Sequence, residues 1–156
     1  MRCTSVRIFT LDTNILVYSV DLVAGERHQI ARQIVTRARL CSCCLTLQSI
    51  SEFYAAVTRK GTIRPREAVP VAQAMLDLFP IAIASASTVR TALRIASAGQ
   101  ASYWDALLLV TAAEAGCTAI LTEDLADGTE LAGIRIIHPF AGQALSPAAE
   151  ALLGCN

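Results

Sequence analysis

Short runs of strand-forming residues alternate along this chain with longer segments of helical periodicity, and that alternation restricts the fold more than any other feature. Val6 to Leu11 is a β-branched and aromatic run reaching Asp12-Thr13-Asn14, residue types that stop strands and cap helices. From Glu26 to Leu40 the apolar residues Ile30, Ile34, Val35 and Ala38 recur every three or four positions with arginines on other faces, which predicts an amphipathic helix. A short strand is expected near Cys43 to Leu45, then a helix over QSISEFYAAVTRKG ending in basic residues and Gly61. Arg64-Pro65-Arg66 opens a helix running to about Leu78, Ile81 to Ala84 is strand-like, and Ser87 to Ala98 is helical up to Gly99. SYWDALLLVTAAEAGC is the clearest helix, with Ser102 as N-cap and Gly116 as stop. Thr118 to Leu121, entering the turn Thr122-Glu123-Asp124, and Ile134 to Ile137 are the last strands, and the Ala-rich tail after Phe140 suits a terminal helix. Strands joined through helices predict an α/β fold, a three-layer α/β/α arrangement with a central parallel sheet and helices on both faces.

The 156 residues suit one domain, with a core over about 6–140 and a C-terminal tail over 141–156. Hydrophobic residues make up 54% and mean hydropathy is +0.49, yet no apolar run approaches the ~20 residues needed to cross a bilayer. No membrane association is expected. The N-terminal stretch MRCTSVRIFTLDTN lacks the h-region and cleavage site of a signal peptide, so the cytoplasm is the expected location. So apolar a chain is expected to leave a patch that a second copy or a partner covers.

Thirteen basic residues balance thirteen acidic ones, so a polyanion has to be bound by local charge. The cysteines Cys3, Cys41, Cys43, Cys44, Cys117 and Cys155 lack the paired spacing and nearby histidines of a zinc site, and buried reduced thiols are expected rather than disulfides.

Four carboxylates carry the chemistry. In an open α/β sheet, ligands bind at the carboxyl ends of the strands. Asp12 ends the first strand, Asp124 follows the strand over Thr118 to Leu121, and Glu52 and Asp105 lie near helix starts on the same edge. Each acid has a purely structural role open to it. Ser49-x-x-Glu52 and Ser102-x-x-Asp105 match the capping box, Asp12 suits a cap, and Asp124 suits a turn. Together they would raise one another's pKa unless a cation neutralised them. Oxygen donors without a Cys/His set suit Mg²⁺ or Mn²⁺, and one or two such ions can activate water against a phosphodiester.

The segments LDTNILVY, SISEFYAAVTRKG, SYWDALLLVTAAEAGC and ILTEDLADG resemble the four acidic segments of PIN domains, most nearly those of bacterial VapC-type toxins, in order from about Val6 to Phe140. The resemblance implies a PIN fold, endoribonuclease activity dependent on Mg²⁺ or Mn²⁺ against single-stranded or structured RNA, homodimerisation, and inhibition by a cognate antitoxin of a type II toxin–antitoxin pair. It places Asp12, Glu52, Asp105 and Asp124 as catalytic, metal-binding acids. Thr13 or Asn14 would orient Asp12, and Thr122 would support the last acid through its hydroxyl. Of the adjacent acids Glu123 and Asp124, the family pattern favours Asp124 as the inward one, and Asp127 is expected in a turn.

Tyr103 and Trp104 could stack on RNA bases, but aromatics at a helix start are more often hydrophobic anchors, and Trp104 is expected in the core. Arg59 and Lys60 suit phosphate or the helix C-terminus equally, and His28 and His138 lack partner spacing that suggests catalysis. One rival reading is a PIN-like module that binds RNA or protein without cutting. Another is a phosphate-handling α/β domain, which lacks a Gly-rich loop and a well-placed lysine here. A haloacid-dehalogenase-type phosphatase would want aspartate where the chain has Asn14.

Overall fold

In the computed structural model the described residues are 7–155; Cys3 and Val6 lie outside them. The elements run β1 (Phe9–Leu11), α1 (Thr13–Tyr18), a 3₁₀ turn (Leu22–Ala24), α2 (Glu26–Ala38), β2 (Leu45–Thr46), α3 (Leu47–Arg59), α4 (Pro65–Leu78), β3 (Ile81–Ala82), α5 (Ala86–Ser97), α6 (Tyr103–Glu114), β4 (Ala119–Leu121), β5 (Glu130–Leu131), β6 (Ile134–Ile137), β7 (Phe140–Ala141), β8 (Ala144–Leu145) and α7 (Pro147–Leu153). The main sheet has the order β1-β4-β6-β5, with β1, β4 and β6 parallel. The parallel pair β2-β3 continues it beyond β1 through the Phe9–Cys43 bridge.

Side chains alternate across the strands, and the two faces bury different helices. Phe9, Leu11, Ala119, Leu121 and Ile137 share a core with α1, α2, α3, α4 and α7. Ile120, Ile134 and Ile136 face the other way, onto Leu108, Leu109 and Ala112 of α6. Helix α6 is buried nearly all round from Ala106 to Ala112, as expected of a helix lying between a sheet and a second helix, here α5. This is the expected three-layer α/β fold with its central parallel sheet.

The sheet also holds an antiparallel strand absent from the sequence reading. β5 turns back on β6 through Ala132-Gly133, both at positive φ (54° and 76°), the geometry of a type I′ hairpin turn. The tail likewise contains a small hairpin, β7-β8, before α7 buries Ala149, Leu152 and Leu153 against the core. Among the described residues no helix is long and apolar enough to cross a membrane.

The expectation of reduced thiols is corrected for two cysteines. Cys41 and Cys155 form a disulfide spanning 114 residues, while Cys43, Cys44 and Cys117 are free and buried as expected. The reason is tertiary. Helix α7 lies back against α2, where Arg37 and Glu150 make a two-pronged ion pair at 2.9 and 2.8 Å, and the residues just beyond the two helices meet. The placement of Trp104 is corrected too, since it is 60% exposed: α6 turns its second residue toward solvent before its apolar body enters the core.

Candidate metal centre

The four acids lie around the carboxyl ends of β1 and β4. Asp12 directly follows β1, and its backbone N–H still bonds to Leu121 O at 3.0 Å, while Thr122 N–H reaches Ile137 O at 3.1 Å. These ladder bonds set Asp12 beside Thr122, and Thr122 Oγ1 donates to Asp12 Oδ2 at 2.6 Å. Asp12 also caps α1, with Oδ1 accepting from Thr13 N–H at 2.7 Å. The carboxyl is 7% exposed. Burial pushes it up to about 6, the neighbouring carboxylates Asp124 and Asp105 add to the rise, and the bonds from Thr122 and Thr13 oppose it.

Glu52 is freed from the capping role that its spacing from Ser49 suggested. The N-cap of α3 is Thr46, whose side chain accepts from Ser49 N–H, so Ser49 is buried and Glu52 lies in the second turn. Thr13 Oγ1 donates to its Oε2 at 3.0 Å and Gln48 Nε2 to its Oε1 at 2.8 Å. Asp105 keeps the expected cap: its N–H bonds to Ser102 Oγ at 3.1 Å, and that hydroxyl donates back to Asp105 Oδ2 at 2.6 Å. Asp124 is the exposed member, held by Asn14 Nδ2 at 2.9 Å and by its own N–H on Thr122 Oγ1 at 3.1 Å.

The supporting contacts are thus shared out differently from the sequence reading. Thr13 bonds Asp12 through its backbone and Glu52 through its hydroxyl, Asn14 holds Asp124 rather than Asp12, and the Thr122 hydroxyl donates to the first acid while it accepts from the backbone N–H of the last. Asp127 accepts from His138 N–H at 2.9 Å, a turn contact. Gln48 was not anticipated, although its spacing from Glu52 is the i,i+4 pairing a helix favours. Tyr18 and Arg27, which bond Glu123, left no local signal.

The donor set fits a hard cation. Every group is an oxygen donor, Asp12 is a buried carboxyl whose hydrogen-bond partners are neutral, and the buried oxygens Asn14 Oδ1 and Gln48 Oε1 have no hydrogen-bond partner. As they stand, no three acid, histidine or cysteine side chains among the described residues are gathered tightly enough to hold an ion together. Glu52 and Asp105 are turned onto hydroxyl partners instead.

The family model described as the PIN domain matches residues 9–126, a span from β1 through all four acids. The chain belongs to the PIN-domain family. Among curated protein sequences no relative matches it. Solved structures with this PIN fold include Mycobacterium tuberculosis VapC20, described as a sarcin-ricin loop cleaving toxin, at TM-score 0.60 and 16% identity over 74% of this chain and 89% of that one. Rickettsia felis VapBC2 bound to a promoter DNA fragment matches at TM-score 0.60 and 13% identity, over 83% of this chain and 96% of that one. DNA-bound VapBC from Salmonella typhimurium matches at TM-score 0.60 and 16% identity over the same shares.

Proposed function

We propose that this PIN domain is an endoribonuclease dependent on Mg²⁺ or Mn²⁺, with Asp12, Glu52, Asp105 and Asp124 as its metal-binding acids. The observation that carries this reading is the Asp12 carboxyl, buried at the end of β1 without a cationic partner and held by the neutral donors of Thr13 and Thr122. A divalent cation, when bound, neutralises that cluster, polarises a phosphodiester and lowers the pKa of attacking water. The chain's own part is to hold Asp12 in one orientation through Thr13 and Thr122, and to hold Asp124 through Asn14. Glu52 and Asp105 accept hydroxyl hydrogen bonds through one oxygen each, Oε2 from Thr13 and Oδ2 from Ser102, which holds both carboxylates beside the site.

We further infer that the protein acts as the toxin of a type II toxin–antitoxin pair and is a homodimer, located in the cytoplasm. Support comes from the family and from VapBC complexes with the same fold. The competing reading, a PIN-like module that binds RNA or protein without cutting, draws on the engagement of Glu52 and Asp105 by hydroxyls. One assay separates the two. Purified protein, freed of any partner, is incubated with a mixed RNA pool and Mg²⁺ or Mn²⁺, beside EDTA and Asp12→Asn controls. Cleavage lost in both controls supports the nuclease, and a folded protein that binds the ion and RNA without cleaving supports the module.

A further inference from the structure

Glu123 stands next to Asp124 in the loop after β4, yet its carboxylate is committed elsewhere. Tyr18 Oη donates to Glu123 Oε1. Arg27 Nε and Nη2 both meet Glu123 Oε2 at 3.1 Å. The Arg27 guanidinium carbon lies 5.9 Å from the centre of the Tyr18 ring and 5.3 Å from that of Phe140, and the two rings meet edge to face at 5.9 Å. Tyr18 ends α1, Arg27 lies in the first turn of α2 and Phe140 begins β7, so two segments hold one loop side chain and a third packs behind them.

A loop carrying two consecutive acids has two ways to present a carboxylate to the site, because neighbouring side chains point in different directions. An exposed ion pair alone would not choose between them, since such pairs contribute little. Here both Glu123 oxygens are engaged, and the cation is also stacked on two rings, which fixes its fork. With Glu123 committed to Tyr18 and Arg27, Asp124 is the acid of the pair that meets Asn14.

We propose that Tyr18, Arg27 and Phe140 form a clamp on Glu123 that fixes the loop after β4 and thereby positions Asp124 toward the cation. The inference rests on the four acids being a divalent-cation site. All four clamp residues are positioning residues, acting through the loop backbone.

The test is Mn²⁺ binding to the metal-free protein, followed by electron paramagnetic resonance or calorimetry, in wild type, Glu123→Ala, Arg27→Ala, Arg27→Lys and the Arg27→Ala/Glu123→Ala double variant. Each of the two alanine variants is expected to weaken Mn²⁺ binding about tenfold or more, the range for removing a group that orients a metal ligand. The double variant is expected to match the single ones, since both remove the same clamp. Arg27→Lys keeps the charge but not the fork, and should fall in between. Thermal unfolding separates a folding defect, which lowers the melting temperature without moving the affinity of the folded fraction. Wild-type affinity in folded Glu123→Ala and Arg27→Ala overturns the clamp, as do additive losses in the double variant. Failure of wild type to bind Mn²⁺ overturns the metal-site reading itself.

Discussion

Thr122 donates its hydroxyl to Asp12 Oδ2 at 2.6 Å, although 110 residues separate them. Adjacent parallel strands bring the two together, and with Thr13 N–H on Oδ1 the bond fixes the plane of the buried carboxyl. The same hydroxyl accepts from Asp124 N–H, so one oxygen ties two of the acids. Thr122→Val keeps the shape and removes the hydroxyl. RNA cleavage should fall about ten- to a hundredfold in kcat/KM, while Thr122→Ser stays near wild type. Equal activity in the two variants would refute the orienting role.

The contribution of Asp12 to the stability of the metal-free protein should fall as pH rises. The Asp12 carboxyl is pushed up to about 6 from 3.8, so between those values the folded state binds the proton more tightly than the unfolded chain. The contribution is full below pH 3.8 and is lost as pH climbs through 6, by about 3 kcal/mol in total. Urea unfolding in EDTA across that window measures it. Asp12→Asn should flatten this component, unfold later than wild type at pH 7.5 in EDTA, and show no stabilisation by Mn²⁺. A wild-type stability that does not fall between pH 4 and 7 relative to Asp12→Asn would contradict the buried-acid account.

The Cys41–Cys155 bond closes a loop of 114 residues. By the chain-entropy estimate such a closure stabilises by about 5 kcal/mol. Reductant, or Cys155→Ser, should lower the urea midpoint accordingly, and peptide mapping without reduction should recover the two cysteines linked. Free thiols at both positions in protein purified without reductant would sink this prediction.

Trp104, Ile83 and Leu47 are exposed along an apolar groove of about 660 Å³ that reaches Gln48 and Glu52. For the homodimer proposed above, this is a face whose burial would favour association. Trp104→Glu should convert the dimer to monomer in light scattering without a lower melting temperature for the isolated subunit. A wild-type protein that stays monomeric at about 100 micromolar would remove the proposal.

Elements with strong local signals were legible in the sequence. Ile134–Ile137 is a strand as expected, Pro65 opens a helix that ends at Leu78, and α6 runs from Ser102 to a stop at Gly116, whose φ of 89° suits glycine. Asp12 and Asp124 could be placed at strand ends because the apolar runs before them are short and sharply ended. Glu52 was harder, since Ser49 and Thr46 are both acceptable caps and only the bond from Ser49 N–H to the Thr46 hydroxyl decides between them. The disulfide, the outward Trp104 and the bonds of Glu123 to Tyr18 and Arg27 had no local trace. They depend on which helix lies over which, and chain separations of 96 to 114 residues carry no periodicity to read.

The strands at the two margins of the sheet bear on how copies of this protein can associate. β3 and β5 are each two residues long, and β5 carries the exposed Glu130. Short, charged edges offer an incoming strand few backbone groups to pair with. Assembly by sheet extension is therefore disfavoured, and the homodimer proposed above would have to use the helical surfaces. A dimer built that way can come apart and re-form without disturbing the hydrogen-bonded ladder that holds Asp12 beside Thr122.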